Sequence, residues 1–165
     1  MTDRINLFDA VIKNRRAGKA VALATVVRVE KPSSARPGDS ALITADGQFS
    51  GWVGGSCAQP TILREALKAL KDGNPRFVRL TPPEKRAGVP AENVIEVALT
   101  CISGGTLEVY IEPIMPQPQL IAIGHLPVIQ GLVKLAGPLD YEITVAGLDL
   151  PPGYYSGSVH VLESI

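Results

Sequence analysis

The sequence predicts an α/β protein, with a mixed α+β N-terminal domain over residues 1–115 and a partial Rossmann-like βαβ unit over residues 119–165. Three observations predict this class. Strand-like and helix-like segments alternate irregularly through the first two thirds of the chain, as they do in mixed folds. The segment 115–119 is rich in proline and glutamine and is typical of a linker. Beyond it, an apolar strand, a helix and a second apolar strand follow in the order of a βαβ unit.

The elements of the first domain follow from apolar periodicity and from the residues that interrupt it. A helix is predicted over residues 3–17, with an apolar stripe formed by Ile5, Phe8, Val11 and Ile12. β-Branched and apolar runs predict strands, and an Asp-Gly pair between two of them predicts a hairpin turn. The remaining predicted elements are strands at 20–29, 40–45 and 48–53, a helix at 57–71, and strands at 76–80, 94–99 and 106–114.

The second unit is predicted to contain strands at 120–123 and 143–146 with a helix at 128–136 between them, and a further short strand at 159–162. Dinucleotide-binding units carry a G-x-G-x-x-G run after the first strand. This chain has Gly124-His125-Leu126-Pro127 there, so NAD(P) binding is not expected. Strand edges left uncovered by a partial unit predict a homo-oligomer, with a homodimer as the simplest form.

Composition and charge exclude several classes of protein. Hydrophobic residues make up 45% of the chain and charged residues 19%, which favours a packed core over disorder. The 16 basic and 16 acidic residues balance, so no net field draws the chain to nucleic acid or to an anionic membrane. No signal-peptide core and no membrane-length apolar segment is found, which predicts a cytoplasmic protein. The two histidines lack ligand spacing, so no metal site is predicted.

The segment Gly54-Gly55-Ser56-Cys57 is the candidate functional centre. Its two glycines permit positive φ angles and let a ligand approach the backbone closely. Ser56 is expected to cap the following helix, with Gln59 at the capping-box spacing, so that free N–H groups and the helix dipole favour a bound anion. The same field is expected to lower the pKa of the Cys57 thiol. The alternative is a tight strand-to-helix turn in which the cysteine is a small buried residue.

Two further loops are candidates for the same site. Cys101 precedes Ser103-Gly104-Gly105, where the backbone can approach a ligand, unless the segment is only a turn at a strand end. Ser33-Ser34 and Arg36 place two hydroxyls and a guanidinium on one loop, which can hold a phosphate or a planar polar ring, or can simply be solvated. Because the cytoplasm is reducing, a structural disulfide between Cys57 and Cys101 is not expected.

These segments, in this order, resemble the XdhC/CoxI family, and the stretch Ser56-Cys57-Ala58-Gln59-Pro60 is most similar to its CoxF-like branch. The resemblance covers residues 5–115, and residues 119–149 are similar to the family's C-terminal Rossmann-like domain. It is carried by the stretches Ser33-Ser34-Ala35-Arg36-Pro37-Gly38, Asp46-Gly47, Gly51-Trp52-Val53-Gly54-Gly55-Ser56-Cys57 and 103–113.

The resemblance implies a maturation factor for molybdenum hydroxylases such as xanthine dehydrogenase or carbon monoxide dehydrogenase. Such a factor binds the molybdopterin-type molybdenum cofactor as cargo and shields it while its terminal sulfur is installed. It then passes the cofactor to the apo molybdenum hydroxylase, and a cysteine desulfurase is the second implied partner. The candidate cofactor-binding residues, from the loops and from the resemblance together, are Ser34, Arg36, Gly54, Gly55, Ser56, Cys57, Gln59, Cys101, Gly104 and Gly105.

The chain departs from the family's pattern at two of these positions. Many members carry a third glycine before the cysteine and a glutamate two residues after it, where this chain has Ser56 and Gln59. Without that carboxylate no catalytic residue is predicted, and a cofactor-binding chaperone is expected rather than an enzyme. Two other functions stay open, a nucleotide-dependent oxidoreductase built on the unit after residue 119 and a non-catalytic scaffold.

Overall fold

The computed structural model describes residues 4–86, 93–99, 104–124, 127–139, 141–147 and 159–162. The chain divides into two compact units, Met1–Pro116 and Gln117–Ile165. In chain order the elements are α1 (Arg4–Arg16), β1 (Val21–Glu30), β2 (Ser40–Thr44), β3 (Phe49–Gly51), α2 (Gln59–Asp72), β4 (Arg76–Thr81), a 3-10 turn (Pro83–Lys85), β5 (Val94–Ala98), β6 (Thr106–Ile114), β7 (Gln119–Ile123), α3 (Pro127–Ala136), a second 3-10 turn (Gly137–Leu139), β8 (Glu142–Ala146) and β9 (Val159–Leu162).

The first unit is built on one six-stranded sheet in the order β3-β2-β1-β6-β4-β5. Its strands pair antiparallel except for β4 and β5, which are parallel. The α/β class predicted from the sequence is therefore confirmed. One apolar cluster joins α2 to this sheet; its fully buried members include Ala22, Val26, Ile43, Ile62, Val78, Leu80, Val109 and Ile111.

Helix α1 packs on the sheet through a stripe that only partly matches the predicted one: Val11, which was predicted, packs there with Leu7, which was not. Leu7, only 7% exposed, belongs to a cluster with Val21 and Leu42 on β1 and β2. Phe8 and Ile12, expected on the buried stripe, are 57% and 49% exposed, so the prediction is wrong for both. Helical spacing allows either stripe, and contact with β1 and β2 selects the one that contains Leu7.

Helix α2 is held to β4 by a buried carboxylate. The Glu65 side chain is 3% exposed, accepts hydrogen bonds from Lys68 (2.9 Å) and Arg64 (3.1 Å), and pairs with Arg76 on β4 at 3.6 Å. Burial opposes ionisation of Glu65, but the hydrogen bonds from Lys68 and Arg64 outweigh this effect and lower the pKa of the carboxyl. The helix ends at Gly73, whose left-handed backbone (φ 72°) lets its N–H donate to the Ala69 carbonyl.

A buried polar layer joins β4 to β6. Thr81 and Thr106 are 2% and 6% exposed, and their hydroxyl oxygens lie 3.1 Å apart. In the same strand pair, the Arg79 guanidinium contacts a Glu108 carboxylate oxygen at 2.6 Å, and the two residues are register partners. The two buried threonine hydroxyls therefore hydrogen-bond to each other.

The second unit contains the three-stranded sheet β7-β8-β9, in which all pairs are parallel. Helix α3 follows β7 and precedes β8, so these elements form a βαβ unit. Its core contains Ala122, Val133, Ala136, Ile143 and Val145. Within the described residues, none of the helices is both long enough and apolar enough to cross a membrane.

Candidate functional site: a cavity beside the turn before helix α2

A cavity of about 410 Å³ lies in the first unit, where three segments of the chain meet. One wall is the turn between β3 and α2, a second is the loop after β1, and the third is formed by Leu99, Gly105 and Leu107. The lining residues are Pro32, Ser33, Ser34, Gly54, Gly55, Ser56, Cys57, Ala58, Leu99, Gly105 and Leu107.

The turn wall is formed by residues 53–58. Gly54 is buried and has a φ of 124°, a conformation that L side chains rarely adopt. The N–H of Ala58 donates to the Gly55 carbonyl at 2.9 Å, which closes a turn before the helix begins. In the described part of the chain, the N–H groups of Gly54, Gly55 and Ser56 make no hydrogen bond. These unpaired N–H groups are candidate donors for a ligand.

Helix α2 starts later than predicted, and the expected cap is wrong. The helix begins at Gln59, its N-cap residue is Ala58, and no side chain caps it. Because the preceding turn takes up Ser56 and Cys57, Ser56 lies too early to be the N-cap residue. Gln59 is the first helical residue rather than the third, so the capping-box interaction does not form. Pro60 stands in the first turn, where its missing N–H costs little.

Cys57 is exposed on this turn and is disulfide-bonded. The expectation that no disulfide forms, and that a free thiol stands here, is therefore wrong for this structure. No free cysteine is found among the described residues. The chain has two cysteines, and the other, Cys101, lies outside the described residues. The redox state of the expected compartment did not predict this disulfide by itself, because a disulfide also requires that the fold bring two sulfur atoms together.

The loop wall brings one of the predicted side chains to the cavity and leaves another outside it. Ser33 and Ser34 line the cavity, and the Ser33 hydroxyl accepts a hydrogen bond from the Ala35 N–H at 3.2 Å. Arg36 is exposed and does not line the cavity. The backbone N–H of Arg36 donates to an Asp39 carboxylate oxygen at 2.8 Å. This hydrogen bond closes a turn just after the residues that line the cavity.

The third wall depends on close backbone contact at Gly105. A Cβ atom placed there would lie 2.0 Å from the Pro32 carbonyl oxygen and 2.7 Å from that of Glu30. The absence of a side chain therefore lets the start of β6 pack directly on the loop wall. Gly104 does not line the cavity, but its carbonyl accepts a hydrogen bond from Lys85 at 3.0 Å.

The described lining of the cavity is neutral. Among the lining residues that the structure describes, none is Asp, Glu, Lys, Arg or His. The cavity offers hydroxyl groups, backbone N–H groups and the apolar side chains of Leu99 and Leu107. Among the described residues, no group of three or more His, Cys, Asp or Glu could hold a metal ion. Such a lining suits an organic ligand with a flat apolar part and hydrogen-bonding edges.

Of the ten predicted cofactor-binding residues, the structure brings six to the cavity: Ser34, Gly54, Gly55, Ser56, Cys57 and Gly105. Arg36, Gln59 and Gly104 lie outside the lining. Sequence reasoning did not find Pro32, Ala58, Leu99 or Leu107, because apolar residues in or beside helices and strands are typical of a core. Lys85 was also not found, because only tertiary structure brings it to Gly104.

The fold and this cavity define a class: an α/β protein with a cavity beside a glycine-rich strand-to-helix turn. The model of the XdhC and CoxI family matches residues 14–81, a range that includes the loop wall and the turn wall. This match confirms the resemblance to the XdhC and CoxI family over those residues. The CoxF-like branch remains a prediction.

Two individual proteins are similar over nearly the whole chain. The uncharacterized protein YqeB of Escherichia coli (strain K12) is 27% identical over 163 residues, which are 97% of this chain and 28% of YqeB. The chain thus spans less than a third of that relative's length. The crystal structure of a xanthine dehydrogenase from Bacillus halodurans matches with a TM-score of 0.52 and 15% identity, over 99% of this chain and 68% of that one. At this identity the match supports the fold alone.

Proposed function

We propose that this protein is a maturation factor for a molybdenum hydroxylase, which binds molybdopterin-type molybdenum cofactor as cargo in the cavity beside the 53–58 turn. The observation that carries the proposal is convergence. The segments on which the family resemblance rests are far apart in the sequence, yet Ser34, Gly55 and Gly105 line one cavity. A purely structural turn does not require this meeting of loops.

The size and lining of the cavity support an organic cargo. Its volume of about 410 Å³ lies in the usual range of small-molecule sites, roughly 300–1,000 Å³. The hydroxyls of Ser33, Ser34 and Ser56 can donate to the polar edges of a pterin or to a phosphate. The unpaired N–H groups of Gly54 and Gly55 add backbone donors, and a helix N-terminus close by favours an anion. The apolar side chains of Leu99 and Leu107 in the lining can exclude water from the face of a ring.

In this proposal the chain's own residues hold and shield the cargo and do no acid–base chemistry. Among the described lining residues there is no carboxylate or histidine, and the proposal assigns any proton transfer to a partner. The proposed partners are the apo-hydroxylase that receives the cofactor, of the xanthine dehydrogenase or carbon monoxide dehydrogenase type, and a cysteine desulfurase that supplies sulfur. A homodimer is also proposed, supported by the exposed apolar side chains of Ile121, Ile123 and Leu135 in the second unit.

Cofactor retention after purification tests the proposal. The full chain, reduced with dithiothreitol, is incubated with free molybdenum cofactor under anaerobic conditions and passed through a desalting column. Bound molybdenum is measured by mass spectrometry, and bound pterin by fluorescence after oxidation. Ser34→Ala removes one cavity donor and is expected to weaken retention about tenfold, equivalent to ~1.4 kcal/mol.

The matched control is Ser50→Ala, which removes a hydroxyl from an exposed serine on β3 outside the cavity. It is expected to retain as much cofactor as the unaltered chain. The proposal fails if the unaltered chain retains no cofactor. The assignment of the cavity fails if cofactor is retained but Ser34→Ala and Ser50→Ala behave alike.

A further inference from the structure

Gly55 lines the cavity, and its lack of a side chain is not explained by the fold of the described residues. Its φ lies outside the left-handed region, so other residues can adopt the same φ. A Cβ atom at this position would also have room. The nearest described atom is the Ser34 hydroxyl oxygen at 3.9 Å, an ordinary van der Waals distance. Among the described residues, neither backbone strain nor packing therefore requires glycine at position 55.

The other two glycines of the described lining, by contrast, are required by the fold. Gly54 has a φ of 124°, and an added Cβ would lie 3.2 Å from the Leu107 side chain. At Gly105 an added Cβ would overlap the Pro32 carbonyl oxygen at 2.0 Å. Because a glycine loses more conformational entropy on folding than other residues do, a glycine that the fold does not require indicates another role. The place of Gly55 in the lining indicates that this role concerns the ligand.

A side chain at position 55 would enter the space between the turn wall and the loop wall. The added Cβ would be in van der Waals contact with the Ser34 hydroxyl oxygen, so no atom would fit between the two. With glycine, the Cα atom lies up to one C–C bond further from that oxygen, which gives a gap of at most about 5.4 Å. A ring stacked between two surfaces needs roughly 7 Å. The gap therefore admits a single atom or a small group rather than a stacked ring.

Each side of this gap carries a hydrogen-bond donor without a partner. Within the described residues, neither the Ser34 hydroxyl nor the Gly55 N–H makes a hydrogen bond. Hydrogen bonds from such donors are about 2.7–3.0 Å long, so one oxygen atom can accept from both sides of a gap of this width. No cation is among the lining residues that the structure describes. The binding of an oxygen here would therefore depend on these two donors.

We infer that Gly55 is a specificity-determining residue of the cavity. It keeps open a gap in which one acceptor oxygen of the cargo, a carbonyl or a phosphoryl oxygen, accepts hydrogen bonds from the Ser34 hydroxyl and the Gly55 N–H. For the identity of the cargo this inference rests on the proposed function. A side chain at position 55 displaces the oxygen, although the fold tolerates the side chain.

Gly55→Ala, alone and combined with Ser34→Ala, tests the inference in the desalting assay described above. Gly55→Ala should retain molybdenum cofactor at least about tenfold less well, with an unchanged Tm, because the oxygen loses its place between the two donors. The double variant should lose no more than Gly55→Ala alone, because the two changes act on one shared contact. Full retention by Gly55→Ala, or losses that multiply in the double variant, would overturn the inference.

The matched control is Gly131→Ala in the second unit. It adds the same methyl group at an exposed position of α3, where no described atom lies within 4 Å of the added Cβ. This variant should retain as much cofactor as the unaltered chain. A loss equal to that of Gly55→Ala would show that the effect does not depend on the cavity and would overturn the inference.

A titration without molybdenum cofactor separates this inference from the function on which it rests. Isotope-labelled chain is titrated with inorganic phosphate and, separately, with biopterin, a pterin that carries no phosphate. We expect at least one probe to shift the Gly55 amide resonance and to bind about tenfold more weakly to Gly55→Ala. The probe that does so identifies the oxygen as phosphoryl or carbonyl.

The two assays together assign any failure. If cofactor is retained but neither probe shifts the Gly55 resonance, the inference is wrong and the proposed function stands. If a probe shifts that resonance but no cofactor is retained, the proposed function fails, and the gap at Gly55 is still a site for an acceptor oxygen.

Discussion

Gly105 should be the least replaceable glycine among those that form or border the cavity. A Cβ atom at this position would lie 2.0 Å from the Pro32 carbonyl oxygen, although real Cβ contacts essentially never fall under 3.0 Å. The obstructing atoms belong to the backbone, so no side-chain rotation relieves the overlap. Gly105→Ala therefore requires β6 and the loop after β1 to separate by about 1 Å.

The loss of stability expected for Gly105→Ala follows from the position of this contact at the end of the β1–β6 ladder. Glu30 and Thr106 are the last register partners of that ladder, so separation at Gly105 strains a pair that holds the centre of the sheet. Overpacking usually costs about 1–3 kcal/mol, and a backbone obstruction favours the upper end. At ~2–4 °C per kcal/mol for a chain of this size, a loss of about 3 kcal/mol lowers the Tm by roughly 6–12 °C.

Two neighbouring glycines provide matched controls. At Gly104 an added Cβ meets nothing within 4 Å, but the φ of 66° makes any side chain strained, so Gly104→Ala should cost about 1 kcal/mol. At Gly55 the nearest atom is the Ser34 hydroxyl oxygen at 3.9 Å, an ordinary contact, so Gly55→Ala should leave stability unchanged. Differential scanning calorimetry of the three variants gives the order of their Tm values. A Gly105→Ala variant as stable as Gly55→Ala would refute the reasoning.

Three further outcomes are expected. Thr81→Val and Thr106→Val should each cost about 1–3 kcal/mol by leaving the partner hydroxyl unpaired, whereas the double variant should recover most of that loss in urea unfolding; additive losses would contradict this. Glu65→Gln should lower the free energy of unfolding by about 2 kcal/mol at pH 7. Because the folded-state pKa of Glu65 lies below its ordinary value of 4.5, its stabilisation is complete above that value and is lost as the pH falls through the folded-state pKa. Stability curves of the two proteins should therefore converge in acid, and parallel curves would disprove the assignment. Arg36→Ala should retain cofactor as well as the unaltered chain, because the guanidinium does not line the cavity; a loss equal to that of Ser34→Ala would count against the cavity.

Local sequence patterns predicted the elements because their causes are local. The strand at 106–114 and the glycine that ends α2 follow from side-chain periodicity and from glycine's tolerance of positive φ. The same holds for the βαβ order of β7, α3 and β8. The α/β class followed from the succession of these elements and needed no knowledge of distant contacts.

Several features of the candidate site could not be obtained in this way. Ser56 matches the sequence pattern of a helix cap, but a turn closed at Gly55 shifts the start of α2 to Gln59. Arg36 has suitable chemistry for an anion, yet the bend that it makes with Asp39 leaves it outside the cavity. In both cases a hydrogen bond from a nearby backbone N–H decides the outcome. The sequence is compatible with several such local hydrogen bonds and does not show which one forms.

The sequence by itself determined the α/β class, the order of helices and strands, and the glycine-rich turn before α2 as a candidate site. Tertiary structure alone decided that Leu99, Gly105 and Leu107 meet this turn around one cavity, that α1 is buried through Leu7, and that Cys57 is disulfide-bonded. The physical reason is the range of the interactions. Propensity and turn chemistry act over a few residues, whereas burial, backbone clearance and sulfur pairing depend on segments that only the folded chain brings together.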